Sequence, residues 1–111
     1  MKKILITGGN GLIGSSLVKQ SLNKGYEVLS VDQGNPEYII DSPNYIFKKI
    51  DITSDNFPIL IEQFAPNYLI HCAAHPGGKS LIEPYLDIEG NILATMKIFE
   101  VCSKTGTHLI Y

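Results

Sequence analysis

The chain has no run of apolar residues approaching the ~20 that a membrane-spanning helix requires. Its opening, MKKILITGG, starts as a secretory leader does. The apolar stretch is only Ile4, Leu5 and Ile6, so neither leader nor anchor is expected. Charge of either sign is not in excess: nine basic residues face eleven acidic ones, a formal net charge of -2. That balance leaves no electrostatic reason to expect nucleic acid or an anionic membrane as a partner. Charges are scattered rather than blocked, and there are no repeats or low-complexity tracts. Cysteine is scarce. Cys72 and Cys102 stand far apart in apolar surroundings, which points away from a disulfide scaffold and toward two reduced core residues. Together these absences give a cytoplasmic protein as the expectation.

What is present is an ordinary globular composition. At 111 residues, with 44% hydrophobic and 18% charged, the chain suffices for one domain with a real core. Short aliphatic runs alternate with helical stretches. KKILIT (2–7) is a continuous apolar run, as in a strand buried on both faces. A helix is expected from Gly11 to Lys24, with Ile13, Leu17, Val18 and Leu22 on one side and Gly25 at its C-terminal cap. YEVLSVD (26–32) is the second strand. The polar stretch QGNPEYIIDSPN follows, with two prolines and no convincing helix, and then YIFKKID (45–51) as the third strand. A short helix is predicted over 56–64, capped by Ser54 or Asp55, with Pro58 tolerated in its first turn. NYLIHCA (67–73) is the fourth strand. The longest helix is predicted from Pro84 to Lys104, with Ile88, Ile92, Met96, Phe99 and Cys102 as its core-facing stripe; Gly106 ends it and THLIY begins a fifth strand.

Strands alternating with helices imply parallel βαβ units. Right-handed crossovers then favour the order 3-2-1-4-5. The fold class expected is therefore α/β, a Rossmann-type doubly wound parallel sheet that stops at its fifth strand.

The stretch ITGGNGLIG places Gly8, Gly11 and Gly14 at three-residue spacing between the first strand and the first helix. Glycine there lets the backbone bend sharply and approach a pyrophosphate with no Cβ in the way. The helix start turns its N–H groups and positive dipole end toward that anion. A glycine triplet alone is weak evidence and more often marks only a tight turn. Context strengthens the nucleotide reading, since the second strand ends in Asp32, whose carboxylate can accept the hydroxyls of an adenosine ribose and repel a 2′-phosphate. Gln33, not an arginine, follows it, so NAD is favoured over NADP. The plainer alternative for Asp32 is a solvated strand-end residue.

Four separated stretches resemble one family, the extended short-chain dehydrogenases/reductases, and within it the NAD-dependent nucleotide-sugar epimerase/dehydratase group. TGGNGLIG resembles its T-G-x-x-G-x-x-G. Asp51-Ile52 is similar to its adenine-contacting Asp-hydrophobic pair, and HCAAH (71–75) to its H-x-A-A segment. SLIEPYLDIEGNILAT is similar to its S-x-x-x-P-x-x-x-x-x-x-N-x-x-G-T, with Ala94 in place of the usual glycine. The resemblance implies NAD as cofactor. It implies that Gly8, Gly11, Leu12 and Ile13 lie at the pyrophosphate, Asp32 and Gln33 at the adenosine ribose, and Asp51 and Ile52 beside the adenine. Ala73, Ala74 and His75 would pass under the ribose and nicotinamide, and Asn91 would fix local backbone near the active centre. Asn91 could instead be a helix residue satisfied by a neighbouring carbonyl. Ser80 lies where family members can meet substrate.

No catalytic residue is expected within 1–111. In the family the active-site Ser/Thr follows the fifth strand and the Tyr-x-x-x-Lys pair comes further along, whereas Tyr111 reads as a strand tyrosine. No metal is expected either: His71 and His75 straddle a strand end, where their spacing does not converge. The expectation is the NAD-binding part of a nucleotide-sugar epimerase or dehydratase, inactive by itself, with a nucleotide sugar as the whole enzyme's substrate. A stand-alone, non-catalytic dinucleotide-binding or sensing module is the alternative. An unpaired fifth-strand edge and one thinly covered sheet face would expose apolar surface and favour association or aggregation, as expected of a fragment of a longer chain; a homo-oligomer is left open.

Overall fold

Ile4, Leu5 and Ile6 are almost wholly withdrawn from solvent, so the strand that carries them lies at the middle of a sheet rather than at its edge. In the computed structural model, which describes residues 1–73 and 92–110, that strand is β1 (Lys3–Thr7). It is followed by α1 (Leu12–Asn23), β2 (Glu27–Asp32), β3 (Tyr45–Lys49), α2 (Asn56–Phe64), β4 (Tyr68–His71), α3 (Ala94–Thr105) and β5 (His108–Ile110). The five strands are all parallel and run in the order β3-β2-β1-β4-β5, as the alternation of strands and helices predicts. Residues 33–44 form no helix, also as expected.

Strand register decides where chemistry can assemble. Thr7 pairs with Val31 on one side and His71 on the other, while Asp32 pairs with Lys49. The carboxyl ends of four strands therefore meet at one edge of the sheet. The order reverses between β1 and β4, and in open α/β sheets that crevice is where ligands bind.

Side chains alternate between the two faces. Leu5, Leu29, Val31 and Leu69 pack with Phe57 and Ile61 of α2 and with Ala94, Ile98, Val101 and Cys102 of α3. Ile4, Ile6 and Val28 pack with Val18 of α1, and Leu17, Leu22, Ile40 and Tyr45 close round them. At the β5 edge, Ile110 is 45% exposed and His108 is exposed, so apolar surface is open there.

Three local expectations need correction. First, Ile13 is 68% exposed, because the sheet-facing positions of α1 are Gly14, Val18 and Ser21. One residue is a rotation of roughly 100° on a helix, so Ile13 falls off that face. Secondly, neither Ser54 nor Asp55 caps α2 with its side chain. The Ser54 hydroxyl donates to the Asp51 carbonyl at 2.7 Å. Asp55 is already helical (φ -68°), not in the extended conformation from which a cap side chain folds back. Thirdly, the stripe on α3 is displaced: Ile92, Met96 and Phe99 are 52%, 60% and 40% exposed. The buried face is Ala94, Ile98, Val101 and Cys102, with Cys102 the one member both share. Ala94, small and 1% exposed, heads that buried face. The predicted start of this helix at Pro84, and Ile88, lie outside the described residues.

Other ends follow the sequence closely. Gly25, at φ +85°, closes α1 through bonds from its own N–H to the Leu22 carbonyl (3.0 Å) and from Tyr26 N–H to Ser21 (3.1 Å). Gly106 does the same service for α3 at φ +74°. Cys102 is buried, Cys72 is half-buried and both are free thiols. Burial pushes both thiols above their ordinary pKa.

Candidate functional site

The chain leaves β1 through a tight loop, and its glycines are there for lack of room. Gly8 has φ +67°, and a Cβ on it would stand 2.9 Å from Ala73 N and 3.0 Å from Cys72 C, backbone atoms at the end of β4. A Cβ on Gly14 would collide with the Gly8 carbonyl, so glycine at 14 lets α1 settle directly on the loop. Gly9 is equally constrained: its Cβ would land on Ser30 Oγ, and its N–H donates to the Val31 carbonyl at 3.2 Å. Reading the triplet at 8, 11 and 14 overlooked Gly9, although the doubled glycine of TGG was visible. Gly11 donates to the Gly8 carbonyl at 3.0 Å and, as N-cap of α1, accepts from Ser15 at 2.9 Å. The next N–H groups, at Leu12 and Ile13, belong to the helix turn that has no intrahelical acceptor. Both side chains stand out in solvent, at 90% and 68% exposed. The arrangement is a backbone cradle suited to an anion.

Asp32 ends β2 beside this cradle. Its Oδ2 accepts the Asn10 N–H at 3.0 Å and its Oδ1 accepts the Gly34 N–H at 3.1 Å. Asn10 Nδ2 in turn donates to the Gly34 carbonyl at 3.0 Å. Each carboxylate oxygen keeps acceptor capacity toward the outside. Gln33 is exposed next to it. Asp51 reaches the same edge, where Ile50 N–H donates to the Asp32 carbonyl at 3.0 Å. Oδ1 of Asp51 takes the Thr53 N–H and hydroxyl at 2.9 and 2.7 Å, and the residue is exposed. Ile52 is 7% exposed and its side chain packs in the core, so only its backbone is available to a ligand.

On the other side of the crevice, Thr7 is a hub. It is fully buried, and its Oγ1 accepts from Cys72 N–H (3.0 Å) and Ala73 N–H (3.1 Å). With both lone pairs used, its hydroxyl proton goes to His71 Nδ1, 2.6 Å away. That makes His71 Nδ1 an acceptor and leaves the ring proton on Nε2, which donates to Thr95 Oγ1 of α3 at 3.0 Å. Burial lowers the His71 pKa, in keeping with this neutral tautomer. Sequence reasoning named neither Thr7 nor Thr95 as a site residue, though both stood inside stretches it quoted.

The structure thus brings Gly8, Gly11, Leu12, Ile13, Asp32, Gln33, Asp51 and Ala73 to one sheet edge, and Ile52 there by its backbone. Ala74, His75, Ser80, Asn91 and Tyr111 lie outside the described residues. Among the described residues no group of three His, Cys, Asp or Glu is placed to hold a metal, and no helix is long and apolar enough to cross a membrane. One sequence match was overlooked: Tyr45 and Lys49 have the Tyr-x-x-x-Lys spacing. Both lie on β3, where four residues span roughly 13 Å rather than one helical turn. Burial, partly offset by the Ser30 hydroxyl, raises the Tyr45 phenol, the opposite of what a base near neutral pH needs. The pair is structural.

Parallel order, a switch-point crevice, a glycine cradle opening a helix and an acidic residue ending β2 define a Rossmann-type dinucleotide-binding domain. Residues 4–111 match the NAD dependent epimerase/dehydratase family, and the chain belongs to it. It is 36% identical to the dTDP-glucose 4,6-dehydratase of Salmonella typhimurium, over 92% of this chain and 31% of that protein. It is 30% identical to the UDP-glucose 4-epimerase of Mycolicibacterium smegmatis, over 97% of this chain and 37% of the relative. Among solved structures, the Thermus thermophilus UDP-glucose 4-epimerase complex with NAD superposes with a TM-score of 0.86 at 30% identity, covering 98% of this chain and 36% of that one. The chain spans about a third of the length of the relatives it matches.

Proposed function

We propose that these residues are the NAD-binding portion of a nucleotide-sugar epimerase or dehydratase, and that they bind the cofactor without turning over a sugar by themselves. One observation carries the reading: Gly8 passes so close to the backbone of Ala73 that no Cβ fits, beside a carboxylate whose two oxygens are already aimed by Asn10 and Gly34. Such a cradle suits a pyrophosphate with a ribose diol next to it. Gly8, Gly11, Leu12 and Ile13 would lie at the phosphates, Gly8 and Gly11 by allowing close backbone approach and Leu12 and Ile13 by the free N–H groups of the first helical turn. Asp32, with Gln33 alongside, would accept the ribose hydroxyls. Asp51 and the Ile52 backbone would edge the adenine, and Ala73, Ala74, His75 and Asn91 would follow the path toward the nicotinamide.

NAD supplies a hydride acceptor at its nicotinamide. Residues 1–111 would bind, orient and exclude the NADP phosphate, and among the described residues no side chain is placed to take a sugar hydroxyl proton. A nucleotide sugar as the whole enzyme's substrate is supported by the relatives, which are a dTDP-glucose 4,6-dehydratase and UDP-glucose 4-epimerases.

Calorimetric titration with NAD and NADP tests this directly. The chain has no tryptophan to follow by fluorescence, so heat is the better signal. NAD should bind and NADP should bind much more weakly. Asp32→Ala should weaken NAD about 10- to 100-fold, the range of hydrogen bonds to a charged group. Absence of any NAD heat or thermal shift would overturn the reading. Turnover of UDP- or dTDP-glucose by residues 1–111 would overturn the claim that they only bind.

A further inference from the structure

Hydrogen bonds join Asn10, Asp32 and Gly34 into a closed ring that does more than present a carboxylate. The Asn10 backbone N–H holds Asp32 Oδ2, the Gly34 N–H holds Oδ1, and the Asn10 side-chain amide donates to the Gly34 carbonyl. The first two bonds fix the rotation of the carboxylate only while two separate segments, the glycine loop and the turn after β2, keep their mutual position. Among the described residues, the bond from Asn10 Nδ2 to Gly34 at 3.0 Å is the side-chain strap between those segments. Gly34 is exposed and its turn contains no regular structure, so the strap is a second tie on the turn beside the Gly34 N–H bond to Asp32. Further along the same connection, Lys19 Nζ of α1 lies 5.4 Å from the centre of the Tyr38 ring, an anchor remote from the carboxylate.

We propose that Asn10 is a specificity-determining positioning residue: its side chain clamps the Gly34 turn to the glycine loop and so aims the Asp32 carboxylate at the adenosine ribose 2′-hydroxyl. The proposal rests on the NAD reading above. Loss of the strap removes neither N–H donor but lets Gly34 N–H shift with its turn, so Asp32 samples rotations that no longer meet the hydroxyl. The consequence is selective: contacts to phosphate and adenine persist while the advantage of the 2′-hydroxyl shrinks.

The test compares NAD with its 2′-deoxyadenosine analogue, titrated into the full chain and into Asn10→Ala. Wild type should prefer NAD. Asn10→Ala should weaken NAD about fivefold, the worth of one hydrogen bond, and the deoxy analogue little, so the preference collapses. A merely structural loosening of the loop would weaken both ligands alike and keep the preference, and that result overturns the proposal. Asn10→Ser, whose hydroxyl is too short to reach the Gly34 carbonyl, should repeat the alanine result. Melting curves without ligand confirm that both variants are folded. If wild type itself binds neither ligand, the NAD reading falls and this inference falls with it; if wild type prefers NAD and Asn10→Ala does so equally, only the inference falls.

Discussion

Gly8 and Gly25 both sit at positive φ, +67° and +85°, yet alanine at each should behave very differently. Placing an L-residue in the left-handed region costs roughly 1–2 kcal/mol at either site. At Gly25 that is all, because nothing lies within 4 Å of the added Cβ. At Gly8 the Cβ meets Ala73 N at 2.9 Å and Ala73 Cα and Cys72 C at 3.0 Å. Those atoms cannot easily withdraw, since Cys72 N–H and Ala73 N–H are bonded to Thr7 Oγ1 at 3.0 and 3.1 Å. Overpacking of this kind adds about 1–3 kcal/mol. Gly8→Ala should therefore lose about 2–5 kcal/mol and Gly25→Ala about 1–2 kcal/mol. Urea denaturation followed by far-ultraviolet circular dichroism measures both, with an unchanged slope showing that the unfolded state is the same. Equal destabilisation by the two substitutions would refute the argument, because it would mean that the loop does not press on the end of β4.

Three more outcomes follow from the same contacts. His71 has its pKa lowered by burial, so the unfolded chain takes up the proton first as the pH drops below about 6.5. Stability should then fall toward acid until the folded pKa is passed, and His71→Gln should remove up to about 1.4 kcal/mol per pH unit of that slope; parallel curves for the two proteins would contradict it. Thr7→Val keeps the shape but leaves Ala73 N–H without its acceptor, which should cost about 1–3 kcal/mol, while Thr7→Ser should restore most of it in the same denaturation assay. Ile98→Ala should cost about 2–5 kcal/mol and Met96→Ala less than about 1 kcal/mol, since Ile98 is buried and Met96 is 60% exposed; the reverse ranking would mean that α3 buries its Ile92-Met96-Phe99 stripe instead.

Strands were legible because each is a short aliphatic run bounded by glycine, proline or polar residues, and their order follows from right-handed crossovers. The face of α3 was not legible. Its sequence offers two apolar stripes, Ile92-Met96-Phe99 and Ile98-Val101-Cys102, and helical spacing alone favours neither. Ala94 lies on the second face, a small residue 1% exposed in the same buried cluster as Leu5, Leu29 and Leu69. Counting hydrophobic residues gives alanine little weight, so that face was the one discounted. Ile13 fails for a related reason. The innermost position of α1 is a glycine, which a search for large apolar side chains passes over.

At the site, local spacing revealed the glycines and Asp32, whereas everything that holds them in place comes from far along the chain. Asn10 meets Asp32 across 22 positions and Thr7 meets Ala73 across 66, so only the sheet order makes them neighbours. The two sets of bonds act from opposite sides of β1. Thr7 pins the end of β4 against Gly8, and the Asn10–Asp32–Gly34 ring pins the turn after β2 against the same loop. A loop of glycines has the most conformational freedom to lose when a ligand binds. Here that entropy is already lost on folding, so binding an anion need not order the loop again, and more of the contact energy is kept as affinity. The glycines permit the close approach, and the bonds of Thr7 and Asn10 hold the segments on either side of the loop against it.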